Sequence, residues 1–354
     1  MPPMQPQQFQ IHTSFPLENG GQLPHPTIAY HTYGDPAHPV VWVCHPFHTD
    51  SDVFQWWPGL FGAQGYFHSD KYFIVCANVL GSCFGSTGPL SENAAQGGSA
   101  FFHEFPVLTI RDIANAHDLL RKHLKINKIH LLIGASTGGQ QALEWAIQQA
   151  DIFENLVLIA TNARQSPWVI ALNTAGRLAI EADITWRKNH PQAGAAGMRA
   201  AAAIGILLNK SYQTYDQLRS EPGETPGAFP AAIYQQEHSE KRVKELNAFS
   251  FYNLLESSDT HDVGRGRGSI AAALSDVRAR TLVLGISSDQ LCPNAEQRFL
   301  SEKIPGAIYR EIHSEAGHEA YLTETSRLKH LLQIFLERVS DTPSAPVISG
   351  FSPS

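Results

Sequence analysis

Lys128–Ala146 reads Lys-Ile-His-Leu-Leu-Ile-Gly-Ala-Ser-Thr-Gly-Gly-Gln-Gln-Ala-Leu-Glu-Trp-Ala, and its reading decides the fold. Ile129–Ile133 is short, almost wholly apolar and β-branched at both ends, which predicts a buried strand. Gln140–Ile147 has helical period, with Ala142, Leu143, Ala146 and Ile147 sharing one face. Between them, Gly134-Ala135-Ser136-Thr137-Gly138 matches a nucleophile elbow, where small flanking residues let a strained turn hold a serine hydroxyl proud of the sheet edge. The N–H of Thr137, opening the helix, is then expected to face a developing oxyanion.

Working outward, Phe9–Phe15 and Thr27–Tyr33 are β-leaning runs separated by Glu-Asn-Gly-Gly, which predicts an antiparallel opening to the sheet. Val40–Cys44 and Tyr72–Ala77 are apolar strand candidates, with Trp56-Trp57-Pro58-Gly59 between them as a loop or short helix. Arg111–Leu124 has helical period and leads into the elbow strand; Leu156–Thr161, Thr281–Ile286 and Ala307–Ile312 are further strands. Strands alternating with helices predict a mostly parallel sheet covered on both faces, an α/β fold. The long segment after the sixth strand is helix-favouring, with Ala-rich stretches at Ala171–Ala182 and Met198–Leu208 broken near Pro191 and by Glu221-Pro-Gly-Glu-Thr-Pro-Gly. It is too long for a loop and reads as a helical lid over the carboxyl edge of the sheet, where α/β proteins bind ligands; a helical subdomain that only covers apolar surface is the alternative. The expected organisation is a core of 9–161 and 270–339, a lid of 162–269, and tails rich in Pro, Ser and Gln at 1–8 and 340–354.

The chain of 354 residues is long enough for a sizeable core. A net charge of −7 and a pI near 6.2 give no basic stripe of the kind a nucleic-acid binder carries. Cys44, Cys76, Cys83 and Cys292 lie in or beside apolar runs without C-x-x-C or framework spacing, so they are expected to be reduced and buried, as in a cytoplasmic protein. No signal-peptide pattern and no apolar run near the ~18 residues of a membrane span is present.

A serine hydroxyl needs a histidine to take its proton and a carboxylate to orient that histidine. Thr281–Ile286 runs into Ser287-Ser288-Asp289, and Ala307–Ile312 leads to the Gly-containing loop that ends in His318. Taken alone, Asp289 is equally a helix N-cap and His318 a loop histidine. With Ser136 they form the order Ser…Asp…His of an α/β-hydrolase triad. The second oxyanion donor is expected in the loop after Val40–Cys44 as the N–H of Phe47, because Pro46 has none to give. His45, His48, Asp50 and Asp52 in that loop lack a second ligand group at recognisable spacing, so no metal site is expected. Gly264-Arg265-Gly266-Arg267-Gly268 is not G-x-G-x-x-G and follows no strand; it reads as a solvated loop, with an anionic substrate group as the other possibility.

Five stretches resemble the homoserine O-acetyltransferase family: Cys44–Asp52; Tyr72–Ser91, with Asn-Val-Leu-Gly-Ser-Cys-Phe-Gly-Ser-Thr-Gly-Pro at 78–89; Phe105–Asp112; Gly134–Trp145; and Gly285–Leu322. The resemblance covers nearly the whole chain. It implies an α/β-hydrolase fold with a helical lid, no bound cofactor, and ping-pong transfer of acetyl from acetyl-CoA to Ser136 and then to a small-molecule alcohol. It assigns Ser136 as nucleophile, His318 as base, Asp289 as its orienter, and Phe47 and Thr137 as oxyanion donors; a homodimer through the lid belongs to the same picture. The same triad with water as acceptor would make a carboxylesterase. The chain departs from the family where the family holds homoserine. The family's lid helix has Ala-Arg and, seven residues after that Arg, a Tyr that help clamp the amino-acid carboxylate; alignment through Gly197, Ile204 and Lys210 puts Ala202 and Asn209 there. The family's His-Asp is His318-Glu319, its elbow Ser-Met is Ser136-Thr137, and its His-Ala-Leu-Thr is His45-Pro46-Phe47-His48. A carboxylate without its bidentate arginine loses about 1.5–3 kcal/mol, roughly 10–100-fold in affinity. Arg199, one turn earlier, is the candidate to replace it, at a reach the sequence does not set, and the expected acceptor is an alcohol other than homoserine.

Overall fold

The computed structural model describes residues 5–63, 65–93, 97–218 and 229–337. Strands β1 (Gln7–Gln10), β4 (Thr27–Tyr33), β5 (Val40–Cys44), β6 (Phe73–Ala77), β7 (Ile129–Ala135), β8 (Phe153–Ile159), β9 (Arg280–Ile286) and β10 (Ile308–Ile312) form one sheet in the order β1-β4-β6-β5-β7-β8-β9-β10. β4 runs antiparallel to both neighbours and every other pairing is parallel. A separate hairpin joins β2 (Phe15–Pro16) to β3 (Gln22–Leu23). The single strand expected at Phe9–Phe15 is therefore two. The turn at Leu17–Gly21 closes the small hairpin, while β1 starts two residues inside the expected tail and pairs Gln7 with Tyr30. The expected tail at 340–354 and the Pro-Gly break at 221–227 lie outside the described residues.

Helices α1 (Val53–Trp56), α2 (Ile110–His123) and α3 (Thr137–Gln148) come before β8. Five follow it: α4 (Pro167–Glu181), α5 (Ala195–Asn209), α6 (Tyr212–Asp216), α7 (Pro230–Glu245) and α8 (Ala248–Asp259). The chain then returns to the sheet through α9 (Ile270–Ser275), α10 (Asn294–Lys303), α11 (Ala320–Thr323) and α12 (Thr325–Glu337). Local chemistry sets the ends: Thr109 and Asp112 make a reciprocal capping box for α2, and Ser166 caps α4 with proline in its first turn. Among the described residues no helix is long and apolar enough to cross a membrane.

Alternation along the central strands feeds two cores, one on each face of the sheet. In β5, Trp42 and Cys44 join one, Val41 and Val43 the other, all fully buried. Trp42 meets Trp145 of α3 edge to face at 5.0 Å, fixing the elbow helix on the sheet; burying one such side chain is worth about 3 kcal/mol or more. The four cysteines are free thiols, with Cys83 only half-buried against the expectation of burial. The Arg265–Arg267 loop is exposed, as expected, but its arginines are paired with the core. Arg265 pairs with Glu18 at 2.8 Å, Arg267 pairs with the buried Glu144 at 2.5 Å, and Arg111 bridges both glutamates, so these guanidiniums are used in tying loop to core.

Candidate active site

Register brings the site together. Cys44 pairs with Gly134, Ala135 with Ile159, and Ile286 with Ile312, so β5, β7, β8, β9 and β10 end on one edge, and the residues just beyond them meet there. Ser136 sits at φ 55°, ψ −127°, a conformation that a side-chain-bearing residue rarely adopts. It is held by its own N–H to Ile159 O at 2.9 Å and by Thr161 Oγ1 and the Gly139 N–H donating to its carbonyl. Gly138 is required because a Cβ there would lie 2.1 Å from the Cys44 carbonyl oxygen, which is how closely α3 crosses the end of β5.

Ser136 Oγ lies 2.8 Å from His318 Nε2, and His318 Nδ1 lies 2.7 Å from Asp289 Oδ2. The other carboxylate oxygen of Asp289 accepts the N–H groups of Leu291 at 2.8 Å and Cys292 at 2.9 Å, so Asp289 is anchored before it meets the imidazole. A carboxylate there only accepts, which puts the imidazole proton on Nδ1 and leaves Nε2 to accept from the serine hydroxyl. Burial pushes the His318 pKa down, but the charge and hydrogen bond of Asp289, with Glu319 behind them, outweigh it and hold it above the ordinary 6.5. Gly317 has φ 75°, and a Cβ on it would lie 2.6 Å from the Lys210 carbonyl carbon, so the histidine loop fits closely under the loop after α5. Such an arrangement can transfer a proton from serine to histidine as the oxygen attacks a carbonyl.

The oxyanion side differs from a set of free donors. The Phe47 N–H donates to Thr137 Oγ1 at 3.1 Å, so the Thr137 hydroxyl occupies the donor expected for the oxyanion. The Thr137 N–H belongs to the first turn of α3, whose donors have no intrahelical acceptor. His45 is buried, with Nδ1 on Pro46 O and Nε2 accepting the Val79 N–H; burial lowers its pKa to about 4. Among the described residues, the ligand-type side chains that converge within 4.8 Å are Asp289, Cys292 and His318, and the bonds just given account for that cluster.

A cavity opens over Ser136. Ala202 and Asn209 of α5 line it, beside Ala201, Gly205 and Ile206 of the same helix, Val169 and Leu172 of α4, and Leu254 and Leu255 of α8. Arg199 and Glu319, expected to bind substrate, are elsewhere. Arg199 turns to the surface, its side chain 57% exposed and 3.4 Å from Glu240. Glu319 is paired with Lys210 at 2.6 Å in an adjoining cleft with Lys241 and Tyr234.

Among the lining residues that escaped the sequence reading are Arg242 and Gln140. Arg242 of α7 lines both cavity and cleft and donates to the His48 carbonyl at 3.1 Å, 194 residues away; no local pattern signals such a pairing. Among the described residues it is the one cavity-lining side chain with a fixed positive charge. Gln140 lies four residues after Ser136, the spacing that shares a helix face, and that signal was available.

Residues 39–325 match the family described as the alpha/beta hydrolase fold. The homoserine O-acetyltransferase of Cyclobacterium marinum is 41% identical over 330 residues, covering 92% of this chain and 94% of that protein. The crystal structure of homoserine O-acetyltransferase from Bacillus anthracis superposes with a TM-score of 0.85 at 24% identity, covering 94% of this chain and 97% of that one. That of esterase E22 does so at 0.84 with 20% identity, covering 94% and 99%. At those identities the two crystal structures speak for the fold, while the Cyclobacterium relative speaks for the family. The chain belongs to the homoserine O-acetyltransferase family, acyltransferases built on the α/β-hydrolase fold.

Proposed function

We propose that this protein transfers an acetyl group from acetyl-CoA to an alcohol other than homoserine, through an ester on Ser136, with 9–161 and 270–339 as the catalytic core and 162–269 as its lid. Ser136 Oγ attacks the thioester carbonyl as His318 Nε2 takes its proton. The tetrahedral oxyanion is met by the N–H groups of Thr137 and Phe47, the latter released by its threonine. Collapse breaks the carbon–sulfur bond, and the proton on His318 leaves with the CoA thiol. The acceptor hydroxyl then gives its proton to His318 and attacks the ester carbonyl; the bond to Ser136 Oγ breaks and the serine regains the proton.

The observation that carries the altered acceptor is the lining of the cavity. Where the family resemblance puts an arginine and a tyrosine, Ala202 and Asn209 face the space over Ser136, while Arg199 is paired with Glu240 and Glu319 with Lys210. A carboxylate entering along α5 meets alanine, glycine, isoleucine and the neutral amide of Asn209, with no arginine of that helix to pair with it. CoA release from acetyl-CoA, measured with and without a panel of alcohols that includes L-homoserine, tests the reading. Release that depends on an alcohol other than homoserine is expected. Release that needs no alcohol makes the protein a hydrolase, and release that depends on homoserine as efficiently as in a relative bearing the arginine and tyrosine overturns the altered acceptor.

A further inference from the structure

Gln140 and Gln141 are adjacent buried amides on α3 with opposite circumstances. Gln141 is used at both ends, its Nε2 donating to the His45 carbonyl at 3.1 Å and its Oε1 3.0 Å from His117 Nε2. Gln140 is only 2% exposed and lines the cavity at Ser136, yet its Oε1 has no partner in the protein. Its Nε2 donates to Asn162 Oδ1 at 3.0 Å.

The direction of that amide follows from its neighbours. The Ser258 carbonyl can only accept, so the end of Gln165 3.3 Å from it is Nε2, and the Ser166 N–H donating to Gln165 at 3.3 Å fixes the other end as Oε1. Gln165 Oε1 then takes the Asn162 Nδ2 hydrogen at 3.4 Å, which leaves Asn162 Oδ1 for Gln140 Nε2. Three side-chain amides in series, started by one backbone carbonyl, end on a buried acceptor oxygen left over on a side chain that lines the cavity. Rotating Gln140 to hide that oxygen would set two acceptors or two donors face to face.

We propose that Gln140 Oε1 is an acceptor-binding group, and that the alcohol acylated here carries a second hydrogen-bond donor, as a diol or an amino alcohol does. This rests on the acyl-enzyme reading above. A buried carbonyl oxygen left unpaired disfavours an acceptor that buries only carbon against it, so a substrate presenting a hydroxyl or amine there is selected over its hydrocarbon isostere by about tenfold or more.

The test delivers acetyl from acetyl-CoA or p-nitrophenyl acetate and measures how it partitions between water and an added alcohol. 1,3-Propanediol and 3-amino-1-propanol are compared at equal concentration with 1-butanol, which puts a methyl group where they carry hydroxyl or amine. Each ratio is taken within one protein, so changes in overall rate cancel. The unaltered protein is expected to prefer both difunctional alcohols about tenfold, and Gln140→Leu to bring the ratios within about twofold of one. Equal partition in the unaltered protein, a preference for 1-butanol of the kind the wall of Val169, Leu172 and Leu255 favours, or an unchanged ratio in Gln140→Leu overturns the proposal. The first two need no variant to fold. If no acetyl reaches Ser136, the acyl-enzyme reading fails and takes this one with it; acetylated Ser136 with flat partition overturns Gln140 alone.

Discussion

The carboxyl edge of the sheet and the helical wall across the cavity are built on opposite plans. At the edge every group is over-determined: Ser136 by a strained turn with bonds to Ile159, Thr161 and Gly139, Asp289 by two backbone N–H groups, His318 by Asp289 and a close-fitting loop. On the wall, α5 offers Ala201, Ala202 and Gly205, and a Cβ added at Gly205 would meet nothing within 4 Å. On the proposed function, the edge holds the reaction type and side chains of the wall the choice of acceptor.

The sharpest way to break this division is at the edge. Ser136→Ala and His318→Ala should each lower kcat by about 10⁴–10⁶, and Asp289→Asn by somewhat less, measured with acetyl-CoA at saturation. The double change Ser136→Ala/His318→Ala should cost little more than either alone, since the groups act as a unit. If Asp289→Asn keeps near-normal turnover, another carboxylate orients the histidine.

A change on the wall should act on the acceptor only. Ala202→Arg with Asn209→Tyr should lower KM for homoserine by roughly 10–100-fold, with the gain in KM because the carboxylate is remote from the hydroxyl being acylated. Glu319→Asp, the third difference from the family pattern, should add little while Lys210 holds the carboxylate. A smaller effect is expected between edge and wall. Thr137→Val removes the hydroxyl that the Phe47 N–H now serves, and should raise the rate of Ser136 acylation about 2–10-fold, the worth of one neutral hydrogen bond. A fall in rate would mean that the hydroxyl itself donates to the oxyanion.

The smallest effect concerns pH. His318 works as a base only when neutral, and its pKa is held above 6.5, so activity should be lost as pH falls through a midpoint above 6.5 rather than below it. Glu319 contributes to that elevation, so Glu319→Gln should move the acid limb of kcat/KM toward lower pH by a fraction of a unit. A limb that stays in place would leave Asp289 as the whole cause.

What was legible in the sequence divides along the same line. β5 has the expected bounds Val40–Cys44, β9 begins one residue before the expected Thr281, and Ser136, Asp289 and His318 lie on the loops expected to carry them. These are local patterns, an apolar run followed by a glycine or an acidic turn, and local sterics decide them. The pairing of Arg199 with Glu240, Glu319 with Lys210 and Arg242 with the His48 carbonyl depends on how each helix of the wall is rotated, which no spacing encodes. The Thr137 hydroxyl on the Phe47 N–H was missed for a similar reason: a pattern names donors, and only geometry shows what they already hold. Gln140 sat in plain view four residues from Ser136, but its free oxygen follows from Asn162 and Gln165 in the loop before α4 and from Ser258 in α8, two other segments.

The central claim is that the edge loads an acetyl group which the wall does not let homoserine remove. A mass-spectrometric time course of the Ser136 peptide after brief exposure to acetyl-CoA, run with and without L-homoserine, reads both halves at once. An acetyl adduct on Ser136 that decays equally fast in the two runs is the predicted result. No adduct on Ser136, or one that homoserine discharges as fast as it does from a relative bearing the arginine and tyrosine, would contradict the account.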